Sequence, residues 1–221
     1  MNFISQYKSK LLALCFLISI PILDVTYFVL NNTDRGIHNV NTILDYSLPF
    51  LKIFVIPYVI WYPFILLAFV YLCFKNTKIY FRTLISLDIS LILCYIIFYF
   101  FQTTMPRPDL VGSDFLTSII RAIYSFDQPY NCFPSIHVLA CYIIMRGIDK
   151  CQPGINKLKI SAGVISTLIV LSTLFIKQHA IMDVFSAVLI GEVVFSIVKN
   201  LNLDRLVEFL QGNKVTDEEL I

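Results

Sequence analysis

Two histidines stand where long apolar stretches begin, and the residues around them point to chemistry. His137 lies in NCFPSIHVLACYIIM (131–145), and His179 lies in IKQHAIMDVFSAVLIG (176–191). His179 and Asp183 are four residues apart, so on a helix they share a face. A carboxylate bound to one ring nitrogen fixes the tautomer and leaves the other nitrogen free and more basic. The pattern predicts a histidine nucleophile; the alternative is an interfacial histidine whose polarity the aspartate masks.

The other histidine is predicted to lie in the first turn of a helix. Pro134 ends a loop, Ser135 is a good N-cap, and the free N–H groups of a helix N-terminus attract anions. From there His137 can protonate a leaving oxygen; the alternative is a plain capped helix with an incidental histidine. Arg107, held extended between prolines in MPRPD (105–109), is suited to bidentate phosphate contact. Its alternative role is an interfacial arginine that meets lipid headgroups.

Together these residues fit phosphoryl transfer through a phosphohistidine. In this hypothesis His179 attacks phosphorus and Asp183 orients it, while His137 protonates the departing alcohol and then activates water or another acceptor. The groups expected to bind the phosphoryl oxygens are Arg107, Ser135 and Lys177. The reaction requires no metal and no cofactor.

The composition places this chemistry in a membrane. The chain of 221 residues is 57% hydrophobic and 14% charged, with a mean hydropathy of +0.77. Apolar runs of about 20 residues cross a bilayer as helices, because no water is present there to satisfy the backbone. The expected runs are 10–30, 50–74, 84–103, 135–149, 158–178 and 180–200. The predicted fold is all-α: one integral membrane domain over 1–221, with six transmembrane helices in a bundle and a cytoplasmic tail at 201–221.

Shorter features complete this prediction. The segment 104–134 contains four prolines and is expected to be a rigid, extended loop. The segment 31–49 is expected to carry a short interfacial helix. Ala187 and Gly191, one turn apart, predict a helix-packing face. Cys132 is the one cysteine expected outside the spans on the histidine side, so no intramolecular disulfide is predicted.

The distribution of Lys and Arg sets the expected orientation. Most of the 17 basic residues fall in segments on one side of the predicted spans. The positive-inside rule then places both termini in the cytoplasm and the histidines at the extracytoplasmic face of the cell membrane. All three motifs share one side in either orientation, because two crossings separate the last motif from the others. The net charge of +2 does not indicate a protein that binds nucleic acid.

At these residues the sequence resembles the type 2 phosphatidic acid phosphatase superfamily, which includes the vanadium haloperoxidases. That family's pattern reads Lys-x6-Arg-Pro, then Pro-Ser-Gly-His, then Ser-Arg-x5-His-x3-Asp. The matching positions here are Arg107-Pro108, Pro134-Ser135-Ile136-His137, and Ser172-Thr173 followed by His179 and Asp183. The similarity covers about residues 50–200 and implies a six-helix fold, a phosphorylated lipid substrate and the phosphohistidine chemistry described above.

The sequence departs from that pattern at three positions. Phe100 stands in place of the first lysine, Ile136 in place of the glycine, and Thr173 in place of the second arginine. Lys177 lies one helical turn beyond Thr173, and we expect it to supply the lost charge. The pattern is most similar to the inositolphosphotransferase and sphingomyelin synthase branch, which moves a phosphate-bearing headgroup to an alcohol.

The sequence therefore predicts a metal-independent lipid phosphatase that hydrolyses phosphomonoester or diphosphate lipids at the extracytoplasmic face. A lipid headgroup phosphotransferase is the alternative within enzymology. A proton-coupled transporter could use the same histidines and aspartate as a relay, and a metal site could use them as ligands. His38 is expected to be a solvated loop residue. The identity of the lipid and the oligomeric state are left open.

Overall fold

A computed structural model describes residues 3–32, 34 and 36–211, and every regular element in that part of the chain is a helix. The helices are α1 (Phe3–Cys15), α2 (Ser19–Leu30), α3 (Ile43–Ser47), α4 (Val55–Lys75), α5 (Thr77–Phe100), α6 (Phe115–Phe126), α7 (Ile136–Cys151), α8 (Lys157–Phe175), α9 (Ile181–Val198) and α10 (Asp204–Gln211). Short 3-10 turns join α1 to α2 and precede α4. The predicted all-α class is confirmed.

Several of these helices indicate a membrane-embedded protein. The described segments that are long and apolar enough to cross a membrane are Tyr7–Leu30, Lys52–Lys75, Thr77–Phe100, Lys157–Phe175 and Ile181–Val198. The span expected at 135–149 is not among them, so the predicted count of six is not confirmed. Helix α7, which occupies that region, has 16 residues and is about 24 Å long, against a hydrocarbon thickness of about 30 Å.

Helix α7 forms the centre of the bundle. It packs against α4, α5, α8 and α9. Small residues allow the close approach of α9: a Cβ added at Gly191 would lie 2.9 Å from Tyr142 Cδ1 and 3.3 Å from Leu139 Cδ1. Ala187, one turn earlier, is fully buried. The predicted packing face of α9 is confirmed, and it faces α7.

Hydrogen bonds gather the start of α7, the end of α8 and the start of α9 at one end of the bundle. The N–H of Ser135 donates to the carbonyl of Asp183 at 3.2 Å. The carbonyl of Thr173, in the last turn of α8, accepts the N–H groups of Gln178 (2.9 Å) and His179 (3.1 Å). We call this the histidine end.

The segment 104–134 is not the extended loop that its prolines predicted. It contains α6, which begins where the N-cap Asp114 accepts the N–H of Thr117 at 3.0 Å. Ile120 and Ile123 recur at helical spacing and pack in a small apolar cluster with Tyr58. The prolines lie before and after the helix, where they do not interrupt it.

Parts of the predicted loops and tail lie outside the described residues. These parts include Arg35, which counted toward the predicted orientation, and everything after Gln211, Lys214 among it. Within the described part, α3 provides the short helix that was expected in the segment 31–49. Helix α10 follows α9 and packs against α1.

Candidate functional site

His179 and Asp183 meet, but they do not share a helix face as the spacing predicted. Ala180 is the N-cap of α9 with an extended backbone (φ −89°, ψ 164°), and His179 precedes it. The side chain of Asp183 turns back toward the N-cap. Its Oδ2 accepts the N–H of Ala180 at 2.8 Å and lies 3.3 Å from His179 Nδ1. The capping geometry of a helix start therefore brings the pair together.

A backbone carbonyl holds the same ring nitrogen. His179 Nδ1 lies 2.9 Å from the carbonyl oxygen of Cys132, nearer than the carboxylate. That carbonyl is fixed by its loop, in which the N–H of Phe133 donates to Thr103 Oγ1 at 2.8 Å. A carbonyl can only accept, so Nδ1 carries the hydrogen and the lone pair lies on Nε2. The sequence did not point to this contact, because every residue type carries a carbonyl.

The free nitrogen of His179 faces the other histidine. His179 Nε2 and His137 Nδ1 are 3.4 Å apart, and both residues are 6% exposed. Reacting atoms approach one another to about 3–3.5 Å, so a phosphorus atom does not fit between these two nitrogens. A phosphoryl group that binds between the rings must push them apart.

The position of His137 is set by the N-terminus of α7 and by aromatic neighbours. Ser135 is the N-cap of α7, and its side chain accepts the N–H of Val138 at 3.4 Å, so the predicted helix start is confirmed. The rings of Tyr58 and Trp61 lie 4.7 Å and 4.5 Å from the imidazole, centroid to centroid. Trp61 Nε1 also donates to the carbonyl of His137 at 3.3 Å. The N–H groups of Ile136 and His137, which precede Val138, have no partner within the helix and are available to an anion.

Arg107 reaches the loop beside His179 through Gln178. Its Nη2 donates to Gln178 Oε1 at 2.6 Å, and its Nη1 donates to the carbonyls of Tyr124 (3.2 Å) and Asp127 (2.7 Å). The guanidinium also lies over the Tyr124 ring, 4.2 Å from its centre. These partners bind through uncharged atoms, and no described carboxylate forms a salt bridge with Arg107. Its positive charge is therefore left for an anion.

The ammonium of Lys177 forms hydrogen bonds with backbone carbonyls of its own chain. Its Nζ donates to the carbonyls of Asp45 and Leu48, both at 2.7 Å, and the residue is 9% exposed. Burial lowers the pKa of Lys177, while the nearby charge of Asp45 opposes that change. The backbone of Lys177 is left-handed (φ +54°), just beyond the end of α8. The expected phosphate contact would require the ammonium to leave both carbonyls.

Polar atoms without partners surround His179. Arg107 Nε, Gln178 Nε2 and Asp183 Oδ1 are buried and have no hydrogen-bond partner among the described residues. Such a group costs about 1–3 kcal/mol unless a ligand or water satisfies it. The first two are donors and suit phosphoryl oxygens. Gln178 was not predicted as a site residue, because its position beside His179 is the one sequence feature that points to it.

Asp127 adds a carboxyl group to the histidine end. Its Oδ1 accepts the hydroxyl of Tyr27 at 2.5 Å and Asn31 Nδ2 at 3.1 Å. Burial raises the pKa of Asp127 above its ordinary value, although the Tyr27 hydrogen bond and the positive charge of Arg107 oppose the rise. Nothing in the surrounding YSFDQPYN marks this aspartate as functional from sequence.

Within the described residues, no group of three His, Cys, Asp or Glu side chains is arranged to hold a metal ion. No family model, no curated protein and no solved structure matches this chain. What the site can do therefore follows from its geometry. It combines an oriented imidazole with a free nitrogen, a second imidazole against that nitrogen, a helix N-terminus and a guanidinium that forms no salt bridge with a described carboxylate.

Proposed function

We propose that the protein is a membrane lipid phosphatase that reacts through a phosphohistidine on His179. The pair of contacts at this imidazole carries the proposal. Nδ1 is held by the Cys132 carbonyl at 2.9 Å with Asp183 beside it, and Nε2 faces His137 at 3.4 Å. One nitrogen is thus fixed as a donor, and the other is a nucleophile next to an acid.

The reaction has two steps. In the first, His137 takes a proton from the phosphate of the bound substrate, because burial and the neighbouring His179 lower its pKa and leave it neutral in the empty site. Nε2 of His179 then attacks phosphorus, the bond from phosphorus to the lipid oxygen breaks, and that oxygen takes the proton from His137. The positive charge that forms on His179 is stabilised by Asp183. In the second, a water oxygen attacks phosphorus and gives its proton to His137. The phosphorus–nitrogen bond breaks, and the electron pair returns to Nε2.

The phosphoryl oxygens are bound by groups at the histidine end. Arg107 provides the charge, and the unpartnered Arg107 Nε and Gln178 Nε2 provide donors. The N–H groups that follow Ser135 provide the anion-binding end of α7. The resemblance to the type 2 phosphatidic acid phosphatases supports this assignment. The distribution of Lys and Arg supports an extracytoplasmic site in the cell membrane with both termini in the cytoplasm.

Phosphate release tests the proposal. The detergent-purified protein is assayed with EDTA present on short-chain phosphatidic acid and on a polyprenyl diphosphate. We expect release that survives the chelator and disappears in His179→Ala. His38→Ala is the matched control, because His38 stacks on Phe101 at 4.5 Å and has no contact with the other histidines. Release that persists in His179→Ala would contradict the proposal.

Trapping of the intermediate gives a second readout. In His137→Ala no group activates the water, so a substrate with a good leaving group should leave phosphate on His179. This phosphohistidine is expected to be labile in acid and stable in alkali. If no phosphohistidine forms in His137→Ala, His179 is not the nucleophile. The same conclusion follows if a phosphohistidine forms in His179→Ala.

A second candidate is a lipid headgroup phosphotransferase, and the charge of the site favours it. Phe100 and Thr173 stand where the family's pattern has cations, and the ammonium of Lys177 is bound to backbone carbonyls. Arg107 is then the cation left for the phosphoryl group. One positive charge matches a phosphodiester better than a dianionic monoester. Release of diacylglycerol from a diester on addition of an alcohol would distinguish this candidate from the phosphatase.

A further inference from the structure

A cavity of about 430 Å³ lies at the end of the bundle opposite the histidine end, where α5 begins and α7 and α9 end. On α5 an arginine follows an isoleucine by three residues, and at the end of α9 a lysine follows a phenylalanine by four. Residues at these intervals share a helix face, so each helix brings an apolar and a basic side chain to the same space. The described residues that line the cavity are Ile79, Arg82, Lys150, Phe195, Lys199 and Asn200.

The charge of this cavity is positive. No aspartate or glutamate is found among the described residues that line it, and its two lysines form no salt bridge with a described carboxylate. The carboxylates whose charge acts on these lysines are Asp149 and Glu192. Asp149 is paired with Lys159, and Glu192 is paired with Arg146 at 3.1 Å. The positive charge of the cavity is therefore left for an anion.

The arginine of the cavity is only partly satisfied by the protein. Arg82 Nη2 donates to the carbonyl of Leu201 at 3.2 Å, while Arg82 Nε is buried without a hydrogen-bond partner among the described residues. The helix dipole favours cations at helix C-termini, which accounts for Lys150 in the last turn of α7 and Lys199 at the C-cap of α9. It does not account for Arg82, which lies in the second turn of α5. A bound anion would satisfy this group.

The apolar part of the wall points to a lipid as the source of the anion. Ile79 and Phe195 add nothing to the binding of a free ion, whereas a phospholipid brings its glycerol and acyl chains beside its phosphate. Leu201, whose carbonyl binds Arg82, is 44% exposed, so an apolar side chain also adjoins the cations at the surface. The distribution of Lys and Arg predicts that this end faces the cytoplasm, and the cytoplasmic leaflet carries anionic lipids.

We propose that this cavity binds the headgroup of a phospholipid that carries a phosphomonoester in addition to its phosphodiester. Such a headgroup has about three negative charges near neutral pH, which match the three cations of the cavity. Basic pockets between transmembrane helices bind phosphorylated lipid headgroups through this balance of charge. The 18 residues of α9, about 27 Å, separate the cavity from the histidine end, so the site is distinct from the proposed reaction site and does not depend on its chemistry.

Calorimetric titration in a maltoside detergent tests the proposal. The protein carries Arg107→Gln, which removes the phosphate-binding cation of the histidine end. It is titrated with dioctanoylphosphatidylinositol 4-phosphate and, separately, with dioctanoylphosphatidylinositol, which differs by the phosphomonoester alone. We expect saturable binding of the first lipid, about tenfold tighter than that of the second. Equal affinity for the two lipids would overturn the proposal.

A third titrant separates a lipid from a soluble anion. Glycerophosphoinositol 4-phosphate is the same headgroup without acyl chains. We expect it to bind more weakly than the lipid, because it makes no contact between chains and the apolar surface beside the cations. If the free headgroup binds as tightly as the lipid, the cavity is a site for a soluble anion and the lipid assignment is wrong.

Two substitutions locate the binding in the cavity. Lys150→Gln and Lys199→Gln each remove one cation, and each should weaken binding of the 4-phosphate lipid about fivefold. Both side chains are exposed, so the fold should be kept, and a thermal melt checks this. Making them in the wild-type chain as well gives a result that does not rest on Arg107→Gln. Lys157→Gln is the matched control, since Lys157 is an exposed lysine at the same end, at the start of α8 and outside the cavity. Unchanged affinity in both cavity variants would overturn the proposal.

Discussion

Asp183 Oδ2 lies 3.3 Å from His179 Nδ1 while the same oxygen accepts the N–H of Ala180 at 2.8 Å. The carboxylate is fully buried, and its other oxygen has no hydrogen-bond partner in the part of the chain that the structure describes. The side chain of Asp183 thus caps α9 and also places a negative charge beside the imidazole of His179. An asparagine keeps an oxygen for the cap and removes the charge, so the two roles can be separated.

Asp183→Asn is expected to slow turnover by about 10²–10⁴-fold, because the imidazolium that forms on His179 loses its counter-charge. The thermal unfolding midpoint should fall less than in Asp183→Ala, which loses the cap as well. Initial rates of phosphate release and circular dichroism melts measure the two effects. Turnover at the wild-type rate in Asp183→Asn would remove Asp183 from the mechanism.

The surroundings of two helical glycines, Gly191 on α9 and Gly163 on α8, predict opposite effects of an alanine substitution on stability. Gly191→Ala places a Cβ 2.9 Å from Tyr142 Cδ1 and should destabilise the fold by about 1–3 kcal/mol. At Gly163, on α8, the nearest atom to an added Cβ is Met145 Cε at 3.7 Å, an ordinary contact. Gly163→Ala should therefore stabilise the helix by up to about 1 kcal/mol. Thermal melts of the two variants in the same detergent compare them directly.

The sequence predicted the part of the site that depends on residue type and spacing. His179 and Asp183 stand at a fixed interval, Ser135 and His137 mark a helix start, and these signals need no knowledge of the loops. The expectation that His179 and Asp183 share a helix face was wrong, but the two residues do meet. A carboxylate in the first turn of a helix can also reach the residue before the N-cap.

The rest of the site depends on how loops fold, and composition does not encode that. The Cys132 carbonyl is placed by the bond from Phe133 N–H to Thr103, about 30 residues away in sequence. Lys177 was expected to replace a missing cation of the family's pattern. In the structure its backbone is left-handed and its ammonium is bound to the carbonyls of Asp45 and Leu48.

The left-handed backbone at Lys177 can be tested by two substitutions. Lys177→Ala and Lys177→Gly both remove the ammonium that binds the Asp45 and Leu48 carbonyls, and both should be less stable than the wild type. The two differ in the cost of a φ of +54°, which glycine adopts freely and alanine does not. Lys177→Gly should therefore be more stable than Lys177→Ala by about 1 kcal/mol. Equal melting points for the pair would mean that this turn is not left-handed.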